Sequence, residues 1–375
     1  MKNLKEIDSI EDIREHLMIA MQLEHATIPP YMTTLYSMNP ENDKNLDTRG
    51  VIRVILREEM LHLTNAANIL NAIGGSPNLT VDGFVPLYPT YLPDGEEDFK
   101  VSLQGFSDDA IKTFLDIERP KKPSEAPQGS RIKSFANGRI SMISRPNIEN
   151  RFLPLVEMKN GDVMHFYSIG EFYKAIELGL EILSEKNGDK NVFIGDESRQ
   201  VPDESFWGGG GKVTKVINLE SAKKAIKLII DQGEGDGYTI YEDPNSEEIS
   251  HYYRFQQLKL GRYYQKNDVP GRPTGPELTV DYSPEAVFPI KANCRLADCE
   301  GSEELKEAAL DFNQFYKDFL VKLTTAYNGH PEFLESAIGD MFKIRDKIGF
   351  LMRNPLPNHR GFNAAPTFEI NNCHT

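Results

Sequence analysis

The stretch REEMLHLTNAANILNAIGG, residues 57–75, decides the fold. Through it and its upstream flank, Ile52, Ile55, Ala66, Ile69 and Ile73 recur at the three-and-four spacing of one helix face, and the run stops at Gly74-Gly75. Glu59 and His62 occupy positions on that face where apolar side chains belong. Residues three apart on a helix project from nearly the same side, so E-x-x-H aims a carboxylate and an imidazole at one point. An ionised carboxylate buried without a partner is expensive, and a cation is the partner that suits both groups.

Working outward, the same interruption recurs. Glu24 continues the apolar series Ile10, Ile13, Leu17, Ala20, in a helix whose pattern breaks at Pro29-Pro30. A helix expected over 168–183 places Glu171 on a face with Ala175, Leu178 and Ile182. A further helix runs from Leu219 to Ile230. The next begins after Asp243-Pro244 and reaches Tyr264, with Glu248 and His251 leading into Phe255 and Leu258. Two more span roughly 302–327 and 331–353. Two E-x-x-H pairs and two lone glutamates are the ligand set of a carboxylate-bridged dimetal site in a four-helix bundle. The expected ligands are therefore Glu24, Glu59, His62, Glu171, Glu248 and His251, with Glu59 and Glu248 bridging and Glu24 and Glu171 terminal. Carboxylates and imidazoles together suit two iron ions, with manganese as the alternative.

Blander readings compete at several positions. Glu248 is also placed to close a capping box with Asn245. Glu58 lies about 100° around the helix from Glu59 and reads as surface. The Asp162–His165 pair reads as loop chemistry. His25 is a candidate support for its neighbour Glu24, and Tyr31, Tyr173, Tyr252 and Tyr253 either line the site or pack the core.

The composition narrows the partners. Of 375 residues, 57 are acidic and 42 basic, a net charge of −15, which disfavours nucleic acid and anionic membranes. At 39% hydrophobic and 26% charged, wholesale disorder is excluded. The N-terminus shows no basic-then-apolar leader and no stretch approaches ~18 consecutive apolar residues, so a cytoplasmic protein is expected. Cys294, Cys299 and Cys373 form no C-x-x-C pair and read as free thiols. The Pro-rich stretch 76–164, with ERPKKPSEAPQGSR (118–131), reads as irregular surface chain. The glycine run at 208–211 lacks the strand and following Lys-Ser or Lys-Thr of a phosphate loop, and reads as a flexible turn. The whole of 1–375 is taken as one elaborated domain, a metal-binding bundle over about 8–265 with a helical extension over about 266–375.

QLEHATIPPYMTTLYS around Glu24, REEMLHLTNAANILNAIGG, YSIGEFYKAIELGL around Glu171 and SEEISHYYRF around Glu248 and His251 resemble the ferritin-like domain family named for iminophenyl-pyruvate dimer synthase, found in bisindole pigment and alkaloid pathways. VFIGDESRQV, FNQFYKDFLVKL and APTFEI agree with it too. The resemblance implies an all-α, ferritin-like four-helix bundle with long irregular insertions and additional C-terminal helices, its ligands at the positions already derived. It also implies an amino-acid-derived substrate in specialised metabolism. The expected activity is that of a non-heme di-iron oxidase or oxygenase using dioxygen on a small organic molecule, with a homodimer as the assembly considered. The alternatives are a ferroxidase handling iron, an oxidative imine-coupling enzyme, and a scaffold with a vestigial site. Long insertions argue against packing into a storage cage.

Overall fold

The computed structural model describes residues 7, 9–93, 99–120, 168–208, 210–233, 240–241 and 248–372. Among them the chain forms α1 (Ile10–Ser37), α2 (Leu46–Ala72), α3 (Asp108–Ile117), α4 (Ile169–Asn187), the single turn α5 (Asp189–Val192), α6 (Leu219–Gly233), α7 (His251–Leu260), α8 (Glu303–Ala326) and α9 (Phe333–Arg353). The described residues pair only in isolated β-bridges. None of these helices is long and apolar enough to cross a membrane.

The antiparallel-type pair α1 and α2 forms the central layer. On one side α4 packs on α1, α6 and α7 pack on α2, and α3 packs on α7; on the other side α9 reaches α1 and pairs with α8. One apolar core joins them, from Ile13 on α1 to Ile348 and Leu351 on α9.

α1 starts with a reciprocal cap: the Asp12 amide donates to Ser9 Oγ and the Ser9 amide to Asp12 Oδ2, both at 3.2 Å. The sequence pattern breaks this helix at Pro29-Pro30, yet the structure carries it to Ser37. An internal proline costs about 3 kcal/mol, partly because the carbonyl four residues back loses its donor. Tyr88 supplies that donor for Ala26, its hydroxyl lying 2.8 Å from the carbonyl oxygen. The Thr27 and Thr33 hydroxyls donate to the carbonyls of Glu24 and Pro29, both at 2.7 Å. Every residue from Ile19 to Leu35 is buried, so burial around the full circumference offsets the remaining cost.

α2 is buried without interruption from Leu61 to Ala72. Its asparagines face the 199–216 segment. Asn68 exchanges two hydrogen bonds with Val201, at 2.9 and 2.8 Å; Asn65 Oδ1 accepts from the Thr214 amide at 2.8 Å, and Asn71 donates to the Tyr327 carbonyl at 2.6 Å. The Asn65 and Asn68 amides fix the segment against the helix.

Two boundaries differ from the sequence reading in ways that matter. The region read as irregular contains α3, capped by Ser107 and with Ala110, Ile111, Phe114 and Ile117 buried. The helix expected to start after Pro244 begins only at His251; Ile249, just before it, bridges to Tyr241. The rest of 118–131 beyond Pro120, the Asp162–His165 pair, Asn245 and Cys373 lie outside the described residues. Cys294 and Cys299 are buried free thiols.

Candidate metal centre

Two groups of ligand-type side chains meet between α1, α2, the end of α3 and the start of α7. Glu24, Glu59 and His62 form the first, and Glu59, Glu118 and His251 the second; within each, one donor atom per residue lies within 4.8 Å of the others. Glu59 belongs to both, the position of a bridging carboxylate. His62 Nδ1 lies 3.4 Å from Glu24 Oε2, and His251 Nδ1 lies 2.8 Å from Glu59 Oε1 and 3.6 Å from Glu118 Oε1. The two imidazoles stack at 5.4 Å between centroids, and all five side chains are buried.

Four of the five donors are held from behind. Gln232 Oε1 on α6 sits 3.1 Å from His62 Nε2, and Glu58 Oε2 sits 3.0 Å from His251 Nε2. An acceptor on Nε2 places the ring proton there and leaves Nδ1 of each histidine bare toward the centre. Gln232 is itself anchored by donating to the Gly210 carbonyl at 2.6 Å. Thr27 Oγ1 lies 3.0 Å from Glu59 Oε2, its one proton shared between that oxygen and the Glu24 carbonyl, and the Tyr31 hydroxyl donates to Glu118 Oε1 at 2.5 Å.

The electrostatics favour positive charge at the cluster. Burial, then the charge of Glu118, pushes the Glu59 carboxyl up to about 7. Burial would lower His251, but Glu118, Glu58 and Glu59 together lift it well above the ordinary histidine value. Burial and the neighbouring Glu24 raise the Tyr173 phenol in the same way. Left to itself, the site must hold protons between its carboxylates. Among the described residues Glu24 Oε1 is buried with no well-aligned hydrogen-bond donor, Tyr173 being the hydroxyl beside this carboxylate. A pair of divalent cations would replace those protons and satisfy that oxygen, and a donor set of hard carboxylates with two imidazoles fits such ions.

Of the six ligands expected from sequence, the structure brings Glu24, Glu59, His62 and His251 together. Glu171 and Glu248 join neither group. Glu171 is the third residue of α4, its amide donating to Ser168 Oγ at 3.2 Å, so its S-x-x-E context is that of a helix start. Tyr173 from the same turn is the residue that approaches Glu24. Glu248 precedes α7, so its spacing to His251 is not helical; it lies beside Glu58, and burial followed by that charge raises its pKa.

Glu118 stands where the sequence reading had surface loop, directly after α3 and 3% exposed. Its signal was present: Glu118 follows Phe114 by four, as Glu24 follows Ala20. Glu58, read as surface, is 1% exposed. Burial would raise its carboxyl, but the hydrogen bond from His251 and the charges of His251 and Arg254 overcome this and hold it at about 2. Within the glycine run, Gly210 packs closely: its amide donates to Glu58 Oε1 at 3.2 Å, and a Cβ there would stand 2.6 Å from the same oxygen. Of the tyrosines, Tyr31 and Tyr173 reach the centre, while Tyr252 and Tyr253 pack with Tyr264. His25 turns away from the metal face, Nε2 lying 2.9 Å from the Tyr316 hydroxyl.

A family model described as ferritin-like matches residues 17–260, more than half of the chain and a span containing all five clustered donors. The chain belongs to the ferritin-like family. A crystal structure of a ferritin-like protein from Caulobacter vibrioides superposes with a TM-score of 0.60 at 20% identity, covering 96% of this chain and 98% of that one, a likeness of fold. Over 344 residues, 86% of its length, this ferritin-like chain is 23% identical to dichlorochromopyrrolate synthase of Lentzea aerocolonigenes. It spans 30% of that enzyme's length.

Proposed function

We propose that the chain is a metal-dependent oxidoreductase, a non-heme di-iron oxidase or oxygenase that uses dioxygen on a small, amino-acid-derived molecule. The observation that carries the reading is the pair of ligand groups sharing Glu59 inside a ferritin-like bundle. The similarity to dichlorochromopyrrolate synthase supports a role in specialised biosynthesis. Glu24, Glu59 and His62 would hold one ion and Glu59, Glu118 and His251 the other; when bound, such a pair supplies two electrons to dioxygen.

The protein's own part is positioning, exclusion of water and proton placement. Gln232 and Glu58 keep the Nε2 protons of His62 and His251 away from the centre. Tyr31 holds Glu118 by its Oε1, and Thr27 holds Glu59 by its Oε2. Ile117, Ile169, Ile229 and Ile230 border a cavity of about 10 Å³ against Glu24, Glu59, His62 and Glu118. That is room for one water-sized or diatomic molecule, in an apolar collar that keeps bulk water out. The same tightness favours a second reading, oxidation of ferrous ions for iron handling.

The test is anaerobic ferrous loading, metal analysis, and oxygen uptake with ferrous ion alone and with a panel of aromatic amino acids and their 2-imino acids. Two ions per chain are expected, with substrate-dependent uptake abolished in Glu59→Ala and His62→Ala. Uptake driven by ferrous ion alone selects iron handling. Less than one ion per chain, or uptake unchanged in both variants, removes the proposal.

A further inference from the structure

Behind the α1–α2 layer lies a second cavity of about 540 Å³, walled by α1, α2, α8, α9 and residues 205–207. Among the described residues it shares no lining residue with the cavity at the metal centre. Glu24, Thr27 and Tyr31 face the centre from α1, whereas His25, Ile28 and Met32 face this cavity. A volume of this order matches pockets that enclose ligands of roughly 300–1,000 Å³ class.

We infer that it binds an amphipathic carboxylate, apolar body inward and anionic head at the mouth. Met32, Met60, Leu63, Phe319, Leu323 and Met341 form the wall. Three methionines among them give a surface that adapts to a flexible apolar chain. The charged residues lining the cavity are Arg53, Arg57 and Arg345, and among the described residues no carboxylate lines it. In a chain of net charge −15 that bias runs against composition. Arg345 pairs with Asp346, but Arg53 and Arg57, exposed one helical turn apart on α2, have no ion-pair partner among the described residues. Two exposed guanidinium side chains one helical turn apart at an apolar mouth suit a carboxylate.

At the buried end His25 lines the cavity at 1% exposure, its Nε2 held 2.9 Å from the Tyr316 hydroxyl. At the mouth, Trp207 is 74% exposed and Phe342 56%, aromatic surface that a seated ligand would cover.

Trp207 is the chain's single tryptophan, so its fluorescence reports the site directly. The full-length protein is titrated with decanoate, with 3-phenylpropanoate and with 1-decanol, exciting where phenyl rings do not absorb. A saturable change with either acid is expected, the better of the two identifying an aliphatic or an aryl ligand. Binding of 1-decanol, and of the preferred acid to Arg53→Ala/Arg57→Ala, should be roughly tenfold weaker or more, the loss of one charge-assisted hydrogen bond. Both arginines are exposed, so metal content and melting temperature should stay at the wild-type values. No saturable change with either acid, or equal affinity for acid and alcohol that the double substitution leaves unaltered, overturns the inference.

Discussion

Glu118→Gln and Glu171→Gln make opposite predictions for two carboxylates of the same type. Glu118 lies in the second ligand group with Glu59 and His251, whereas Glu171 lies in the first turn of α4 and in neither group. The amide of Glu118→Gln keeps the volume and can still meet Tyr31, but offers a neutral oxygen to a cation. At a free-metal level 100 times its Kd, each ion stabilises the fold by about 2.7 kcal/mol. A hundredfold loss of affinity at one position brings that contribution down to about 0.4 kcal/mol, so about 2 kcal/mol of metal-dependent stability disappears, a shift of a few degrees for a chain this size. In the metal-free protein the change is smaller. Glu118 repels Glu59 and attracts His251, and the two effects oppose. Metal analysis after anaerobic loading, with melts taken with and without metal, reads both quantities. At that metal level Glu118→Gln should retain about 1.5 ions where the wild type holds two, and Glu171→Gln should hold both. Full occupancy in the first variant with reduced occupancy in the second would refute the assignment.

Glu58→Gln removes the acceptor on His251 Nε2 and should weaken metal binding by about 10–100-fold, measured by competition with a chelating dye. Glu58 sits at about 2 in the fold, below its ordinary 4.5, so its stabilisation is present above pH 4.5 and is lost as the pH falls toward 2. In metal-free protein the stability gap between wild type and Glu58→Gln should reach about 3 kcal/mol near pH 6 and narrow steadily below pH ~4.5, by urea denaturation at each pH. A gap that stays constant into the acid range would contradict the placement. Gly195→Ala would set a Cβ 1.8 Å from the Asn71 carbonyl oxygen, so backbone must move. A loss of about 2–3 kcal/mol is expected from thermal melts, and an unchanged melting temperature would contradict the close approach.

The helices were legible where an apolar face runs long enough to be interrupted. α1 and α2 showed Glu24, Glu59 and His62 as misfits on their own faces, and the structure places all three together. α3 is ten residues long with four buried positions, too short to stand out from the proline-rich chain around it, and Glu118 was lost with it. The helical spacing assumed between Glu248 and His251 differs for another reason. A three-residue spacing means a shared face only inside a helix, and α7 starts at His251. Glu58 defeated the argument from angle because α2 at that level has covered surface on more than one side: Gly210, Arg254 and His251 close over it. Periodicity finds the face of a helix, but not which neighbours seal its flanks.

α2 carries two kinds of polar side chain along one axis. Glu58, Glu59 and His62 titrate, while Asn65, Asn68 and Asn71 stay neutral at every pH. The amides tie the 199–216 segment to the helix, and that segment delivers Gly210 to Glu58 and Gln232. Acid should therefore dismantle the helix's neighbourhood in order. Protons displace cations and empty the centre first, while the amide-bound segment keeps its seat, leaving a folded shell into which metal can return when the pH is restored.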